Sequence, residues 1–199
     1  MNAIATPGGR IGPNAITQVA AVLTGYIGRR GTTDLFASVA LAHHLTEPPQ
    51  AMVDESDVRR LHGALRGWLG PTLARQVARS AGERTAAYLL AHRIPRPVQW
   101  LLRALPAGLA ARVLMAAISR HAWTFAGSGQ FTVETGPPLV LVIRNNPMCA
   151  GMSATVPACE FYAATFQTPF AALVQRRTRV REIACEACGD DACRFVVSW

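Results

Sequence analysis

Cys185, Cys188 and Cys193 fall within nine residues near the end of the chain, in "REIACEACGDDACRFVVSW", with Gly189-Asp190-Asp191 between the second and third. The spacing C-x2-C-x4-C lets thiolates gather at a reverse turn. Cys159, or Cys149, could add a fourth from an earlier segment, giving the ligand count of a tetrahedral zinc site or an iron–sulfur cluster. A zinc ribbon carries two C-x2-C pairs, and this chain has one. Packed structural thiols are therefore favoured over the metal set Cys159, Cys185, Cys188 and Cys193, and both over a redox pair or disulfide.

The five histidines are His43, His44, His62, His92 and His121. Taken singly, a histidine reads first as a packed or solvated residue. His92 ends "TAAYLLAHR" and His121 joins an apolar helix to "AWTFAG", so each can end on a pocket wall. In "RRTRVREIAC" period-two alternation puts Arg177, Arg179 and Arg181 on one strand face. That face is either a solvated edge that discourages strand pairing or a clamp for carboxylates or headgroups. Tyr162, Phe166 and Phe170 form an aromatic stripe that reads as core first and ligand wall second.

Other chemistries lack their residues. All 20 basic side chains are arginine, which removes Schiff-base and pyridoxal-phosphate lysines and the phosphate-loop lysine. No G-x-G-x-x-G follows a strand, and neither G-x-S-x-G nor H-E-x-x-H occurs. The formal charge of +8 suits carboxylates, phosphates or an anionic membrane. Nucleic acid fits less well, because the arginines are scattered among apolar helices without a basic-aromatic signature.

These residues need a scaffold, and 199 residues with 50% apolar side chains suffice for one well-filled core. Residues 1–13, rich in glycine and proline, read as a flexible tail, and 14–199 as a single ligand-binding domain. Helices are expected at 14–28, 33–46, 55–69, 71–93, 97–104 and 107–122, with glycine and proline between them. Strands are expected at 130–136 and 137–146, then a helix after Pro157 that Pro169 kinks or breaks, then strands near 178–185 and 192–198. This order gives an α+β fold, N-terminal helices packed on an antiparallel sheet of about four strands. No apolar run reaches the ~18 residues of a bilayer span, and the N-terminus lacks a signal-peptide pattern, so a cytoplasmic protein is expected.

The stretches "SAGERTAAYLLAHRIP" (80–95), "RNNPMCAG" (144–151), "PACEFYAATF" (157–166) and "CEACGDDACRF" (185–195) resemble the BchJ family, labelled bacteriochlorophyll 4-vinyl (8-vinyl) reductase and part of the wider 4-vinyl reductase domain group. The resemblance spans most of the chain from about residue 14. It carries Cys185, Cys188, Gly189 and Cys193 for the domain motif, and Asn145, Asn146, Cys149, Cys159 and Tyr162 for the family stretches. It implies a fold shared with TRAPP transport-particle subunits and similar in outline to haem nitric-oxide-sensor domains, which hold an apolar ligand between helices and sheet.

For this chain the resemblance implies a place in bacteriochlorophyll synthesis, with a magnesium tetrapyrrole as ligand. Reducing a vinyl group needs hydride or electrons, and no nicotinamide or flavin motif supplies them. The leading expectation is thus a protein that holds a magnesium-porphyrin or chlorophyllide intermediate and delivers it to a pathway enzyme, such as magnesium chelatase or the next enzyme. His92 or His121 would meet magnesium, Tyr162 and Phe166 would wall the macrocycle, and Arg177, Arg179 and Arg181 would meet its propionates. The alternative is an 8-vinyl reductase acting on a divinyl (proto)chlorophyllide with an external electron donor or a cysteine-bound cluster. An assembly factor is the third reading. Peripheral attachment to the photosynthetic membrane and a homodimer are compatible with the sequence.

Overall fold

The computed structural model describes residues 9–199. Part of the expected tail is ordered. Arg10–Ile11 (β1) pair antiparallel with Val53–Asp54 (β2), and Ile11 is buried, so structure begins before residue 14. Residues 1–8 of the expected tail lie outside the described residues.

Helix α1 spans Asn14–Ser38, and α3 spans Glu55–His92. Each contains one glycine at positive φ, Gly28 at 73° and Gly70 at 71°, which interrupts the helical dihedrals inside the element. The interruptions fall where the expected helices 14–28 and 55–69 end. The cause in α3 is chemical: Pro71 offers no N–H, and Gly70 takes a backbone conformation that a side chain would oppose. The expected helix 33–46 stops early, at Ser38, and resumes as the short α2 (His43–Thr46). The start of α3 is encoded locally, since Asp54 accepts from the Ser56 amide at 2.7 Å and Glu55 and Asp57 sit in the first turn.

After α4 (Arg96–Ala104), α5 (Ala107–Arg120) and α6 (Trp123–Ala126) come the hairpin strands β3 (Gln130–Glu134) and β4 (Leu139–Arg144). Helix α7 covers Glu160–Leu173, then β5 Arg179–Ala184 and β6 Cys193–Ser198. Helix α7 runs unbroken through Pro169, close to its C-terminal end, so only the Thr165 carbonyl loses its helical donor. The sheet order is β3-β4-β6-β5, antiparallel throughout, which gives the expected α+β arrangement.

The layers follow from the side chains. On α7, Tyr162 and Phe166 pack on Phe195 of β6, and Phe166 reaches Phe131 of β3, so the helix covers the sheet. The opposite side of α7 meets α3 at Gly82, so closely that a Cβ there would overlap the Phe161 carbonyl oxygen. Helix α1 then lies on α3, with the Ala15 carbonyl accepting from His62 and Gln18 from Arg84.

Candidate metal centre and ligand crevice

Four cysteines converge beneath the last hairpin. The Sγ atoms of Cys149, Cys159, Cys185 and Cys193 all lie within 4.8 Å of one another, and all four residues are buried. Cys149 is 3.3 Å from Cys159, 3.6 Å from Cys193 and 3.9 Å from Cys185; Cys159 is 3.7 Å from Cys193 and 3.9 Å from Cys185. A tetrahedral ion with metal–sulfur bonds of about 2.3 Å has sulfurs about 3.8 Å apart, so the cage matches one zinc-sized ion. It is far too open for a disulfide, whose sulfurs lie about 2.05 Å apart. A polynuclear iron–sulfur cluster spreads its cysteines over several irons and would need a wider cage.

Each ligand is delivered by a local device. After β4, Asn145 adopts a left-handed φ of 51°, which asparagine tolerates, and turns the chain inward. Asn146 is 1% exposed: its N–H donates to Glu186 Oε2 at 2.8 Å and its Oδ1 accepts from the Met148 N–H at 3.0 Å. Thus held, its Nδ2 faces Cys193 Sγ at 3.3 Å and Cys159 Sγ at 3.5 Å, the kind of outer donor that stabilises thiolate ligands. Cys159 precedes α7, and its N–H donates to Glu182 Oε2 at 2.7 Å. Cys185 is fixed by Asp190, whose Oδ2 accepts from the Cys185 N–H at 2.7 Å, and Cys193 alternates inward on β6 with Phe195 and Val197.

The electrostatics suit a cation. Hydrogen bonds from Cys149 and Cys159 pull Cys185 well down, whereas Cys149, Cys185 and Cys193 push Cys159 well up. Burial, and then the Cys185 charge, raise the Glu182 carboxyl to about 9. Four thiolates at this spacing are mutually repulsive without an ion between them, and an all-sulfur closed set is the structural type of zinc site.

The sequence set Cys159, Cys185, Cys188 and Cys193 needs one change. Cys188 is exposed at the end of a 3-10 turn (Glu186–Cys188) and stands outside the cage, and Cys149 takes the fourth corner. The preference for packed structural thiols is set against sulfur positions that match ion coordination.

The cage also forms one side of a crevice. Between α3, α7 and the 145–159 loop lies about 360 Å³ of empty space, lined by His62, Leu65, Arg66, Met148, Met152 and Phe161, with Cys159 behind them. His62 is buried, and its Nε2 lies 3.2 Å from the Ala15 carbonyl. A carbonyl only accepts, so Nε2 carries the proton, which leaves the Nδ1 lone pair without a partner among the described residues. Burial lowers the His62 pKa to about 4, so the imidazole is neutral near pH 7. Arg66 Nη2 donates to the Ala158 carbonyl at 3.1 Å and pairs with Glu160 Oε2 at 3.4 Å.

This depressed pKa has a measurable consequence. Unfolding frees His62 to bind a proton with a pKa near 6.5, so stability present above pH 6.5 is lost as pH falls toward 4. The loss at pH 4 reaches roughly 3 kcal/mol from this residue alone. Urea melts of wild type and His62→Leu at pH 7, 5.5 and 4.5 check it: the wild type should lose more stability than the variant over that range. Thiolate protonation is common to both proteins and cancels in the difference.

The other expected ligand residues are not brought together around the crevice. His92 and His121 are exposed at the ends of α3 and α5, each with Nδ1 2.9 Å from a carbonyl one turn back, Tyr88 and Ala117. Tyr162 and Phe166 belong to the core; burial raises the Tyr162 pKa, and its hydroxyl donates to the Phe125 carbonyl at 2.7 Å. Arg179 and Arg181 are exposed on the edge strand β5, and Arg177 precedes that strand. Arg177 and Arg179 border an open surface recess with Gln175 and Arg176, which shares no residue with the crevice. The signal for His62 was in the sequence: Val58, Leu61, His62 and Leu65 follow the i, i+3, i+4, i+7 spacing of a buried helix stripe.

Residues 139–198 match the 4-vinyl reductase domain family. The chain is 45% identical over 186 residues to the bacteriochlorophyll synthase 23 kDa chain of Cereibacter sphaeroides, covering 94% of this chain and 89% of the relative. It is 39% identical over 188 residues to the protein of the same name from Rhodobacter capsulatus, covering 94% and 86%. Among solved structures, an H-NOX protein from K. algicida superposes with a TM-score of 0.61 at 12% identity, over 94% of this chain and 96% of that one. An H-NOX protein from S. oneidensis gives 0.54 at 13% identity, over 94% and 98%. At such identities the structures establish the shared α+β fold, and the sequence relatives establish the family: the chain belongs to the BchJ family of bacteriochlorophyll synthase 23 kDa chains, proteins of bacteriochlorophyll biosynthesis.

Proposed function

We propose that the protein binds a magnesium tetrapyrrole intermediate of bacteriochlorophyll synthesis and holds or delivers it to a pathway enzyme, such as magnesium chelatase or the enzyme that follows. The observation that carries this reading is the crevice beside the cysteine cage, where a buried neutral imidazole faces an apolar cleft next to an arginine. Its chemistry matches the three parts of such a ligand. The free Nδ1 of His62 is a fifth ligand for magnesium, oriented by the N–H to Ala15 as outer-shell carbonyls orient metal-binding histidines. Leu65, Met148, Met152 and Phe161 cover the ring, and Arg66 exchanges its Glu160 contact for a propionate.

The fold supports the reading, since structures titled for haem distortion in the H-NOX family and for protein-induced porphyrin distortion superpose on 95% of this chain, with TM-scores of 0.58 and 0.52. A cleft of about 360 Å³ takes only an edge of a macrocycle, so the 145–159 loop and α3 separate on binding. The cage anchors that loop at Cys149 and Cys159, which makes the metal a brace for the ligand wall and not an electron source.

Titration of the purified protein with magnesium protoporphyrin, read by absorption and fluorescence, should saturate at one pigment per chain. Reductant is then added and the pigment extracted. An unchanged vinyl group supports a carrier. Absence of saturable binding overturns the proposal, and an ethyl product replaces it with the reductase named by the family label.

A further inference from the structure

Between Glu83 and Glu134 the chain has no acidic residue and carries six arginines, at 84, 93, 96, 103, 112 and 120. Charge of one sign only is therefore concentrated in this segment, which builds α4 and α5. Helix α4 presents apolar side chains outward as well as inward. Its inner side bears Gln99, whose Nε2 donates to the Leu90 and Ile94 carbonyls at 2.7 and 2.8 Å, and Leu102, its one buried residue. Its outer side bears Val98, Trp100 and Leu101, with Trp100 69% and Leu101 59% exposed. Helix α5 continues the pattern with exposed Leu109 and Val113 beside Arg112.

We propose that the outer side of α4 and α5 is a docking surface for an anionic lipid bilayer. A tryptophan and branched aliphatics on a short helix, surrounded by arginine, are the composition of a segment that lies in the headgroup region with its apolar side down. The charge decides the occupant. Among the described residues Arg93, Arg96, Arg112 and Arg120 form no ion pair, so each is free to meet a lipid phosphate, and each is worth about 1 kcal/mol near an anionic surface. No helix among the described residues is long and apolar enough to cross a membrane, so attachment would be from one side. The inference is independent of pigment binding, since none of these residues lines the crevice.

The test is sedimentation of the full chain with vesicles of phosphatidylcholine alone or with one part in three phosphatidylglycerol, at low and high salt. The expected result is binding to the anionic vesicles only, reduced by high salt. Trp100→Ala with Leu101→Ala should weaken it about tenfold. Arg96→Ala with Arg112→Ala and Arg120→Ala should weaken it about a hundredfold at low salt, at roughly fivefold per charge. Melting temperature and pigment titration, unchanged in both variants, confirm that folding and the crevice are intact. Failure to sediment with anionic vesicles overturns the proposal, as does equal binding to neutral ones. Wild-type binding that survives both sets of substitutions places the lipid contact elsewhere and overturns it too.

Discussion

Cys149→Ser protein is expected to purify without stoichiometric zinc and to melt roughly 10 °C below the wild type. The four sulfurs form a single cage, and removing one leaves three thiols with a hydroxyl that zinc binds poorly. A metal that binds only the folded chain stabilises it by mass action, by about 4 kcal/mol when free metal is a thousandfold above its dissociation constant. For a chain of this size each kcal/mol moves the midpoint by about 2–4 °C. A strong chelator should lower the wild-type midpoint by a similar amount and leave the variant nearly unmoved. Cys188→Ser should behave as wild type in both assays, because that thiol is exposed and outside the cage. Elemental analysis and thermal melts decide the matter. A metal-free wild type with the same midpoint as Cys149→Ser would show the cage to be packed thiols.

Gly82→Val is expected to cost roughly 3 kcal/mol or more, and Gly82→Ala about 2 kcal/mol, in urea unfolding at pH 7. On an open helix face glycine to alanine stabilises by about 1 kcal/mol, so the sign itself is diagnostic. Here the added Cβ overlaps the Phe161 carbonyl oxygen and meets the Phe161 carbonyl carbon at 3.1 Å and the Ala164 Cβ at 3.0 Å. Two of these belong to the backbone of α7 and cannot rotate away, so α7 must move off α3. That shift displaces Phe161 from the crevice wall and pulls on Cys159, which begins the helix. A stabilised Gly82→Ala would mean that the two helices pack less closely than described.

The helical and strand patterns were legible because period and punctuation act locally: Pro71, Gly28 and Gly136-Pro137 mark breaks or turns that the structure keeps. The cage was partly legible. Cys185 and Cys193 stand on one hairpin, so their spacing reveals them, and Cys159 lay within the sequence reading. Exchanging Cys188 for Cys149 depends on which way the 186–188 turn rolls and on the left-handed bend at Asn145, neither fixed by cysteine spacing. His62 was hidden for a different reason. Its apolar stripe marks it as buried, but only the approach of Ala15, 47 residues away, selects the tautomer and frees Nδ1. His92 and His121 drew attention by ending helices, where their Nδ1 atoms are already engaged with backbone one turn back.

The most direct test of the account is a parallel titration of zinc-loaded wild type and His62→Leu with magnesium protoporphyrin and with metal-free protoporphyrin. If His62 Nδ1 holds the magnesium, the wild type should prefer the magnesium form by about tenfold or more. His62→Leu should lose that preference while still binding both pigments through the apolar walls and Arg66. A variant that keeps the full preference for magnesium would contradict the assignment of the crevice as the pigment site.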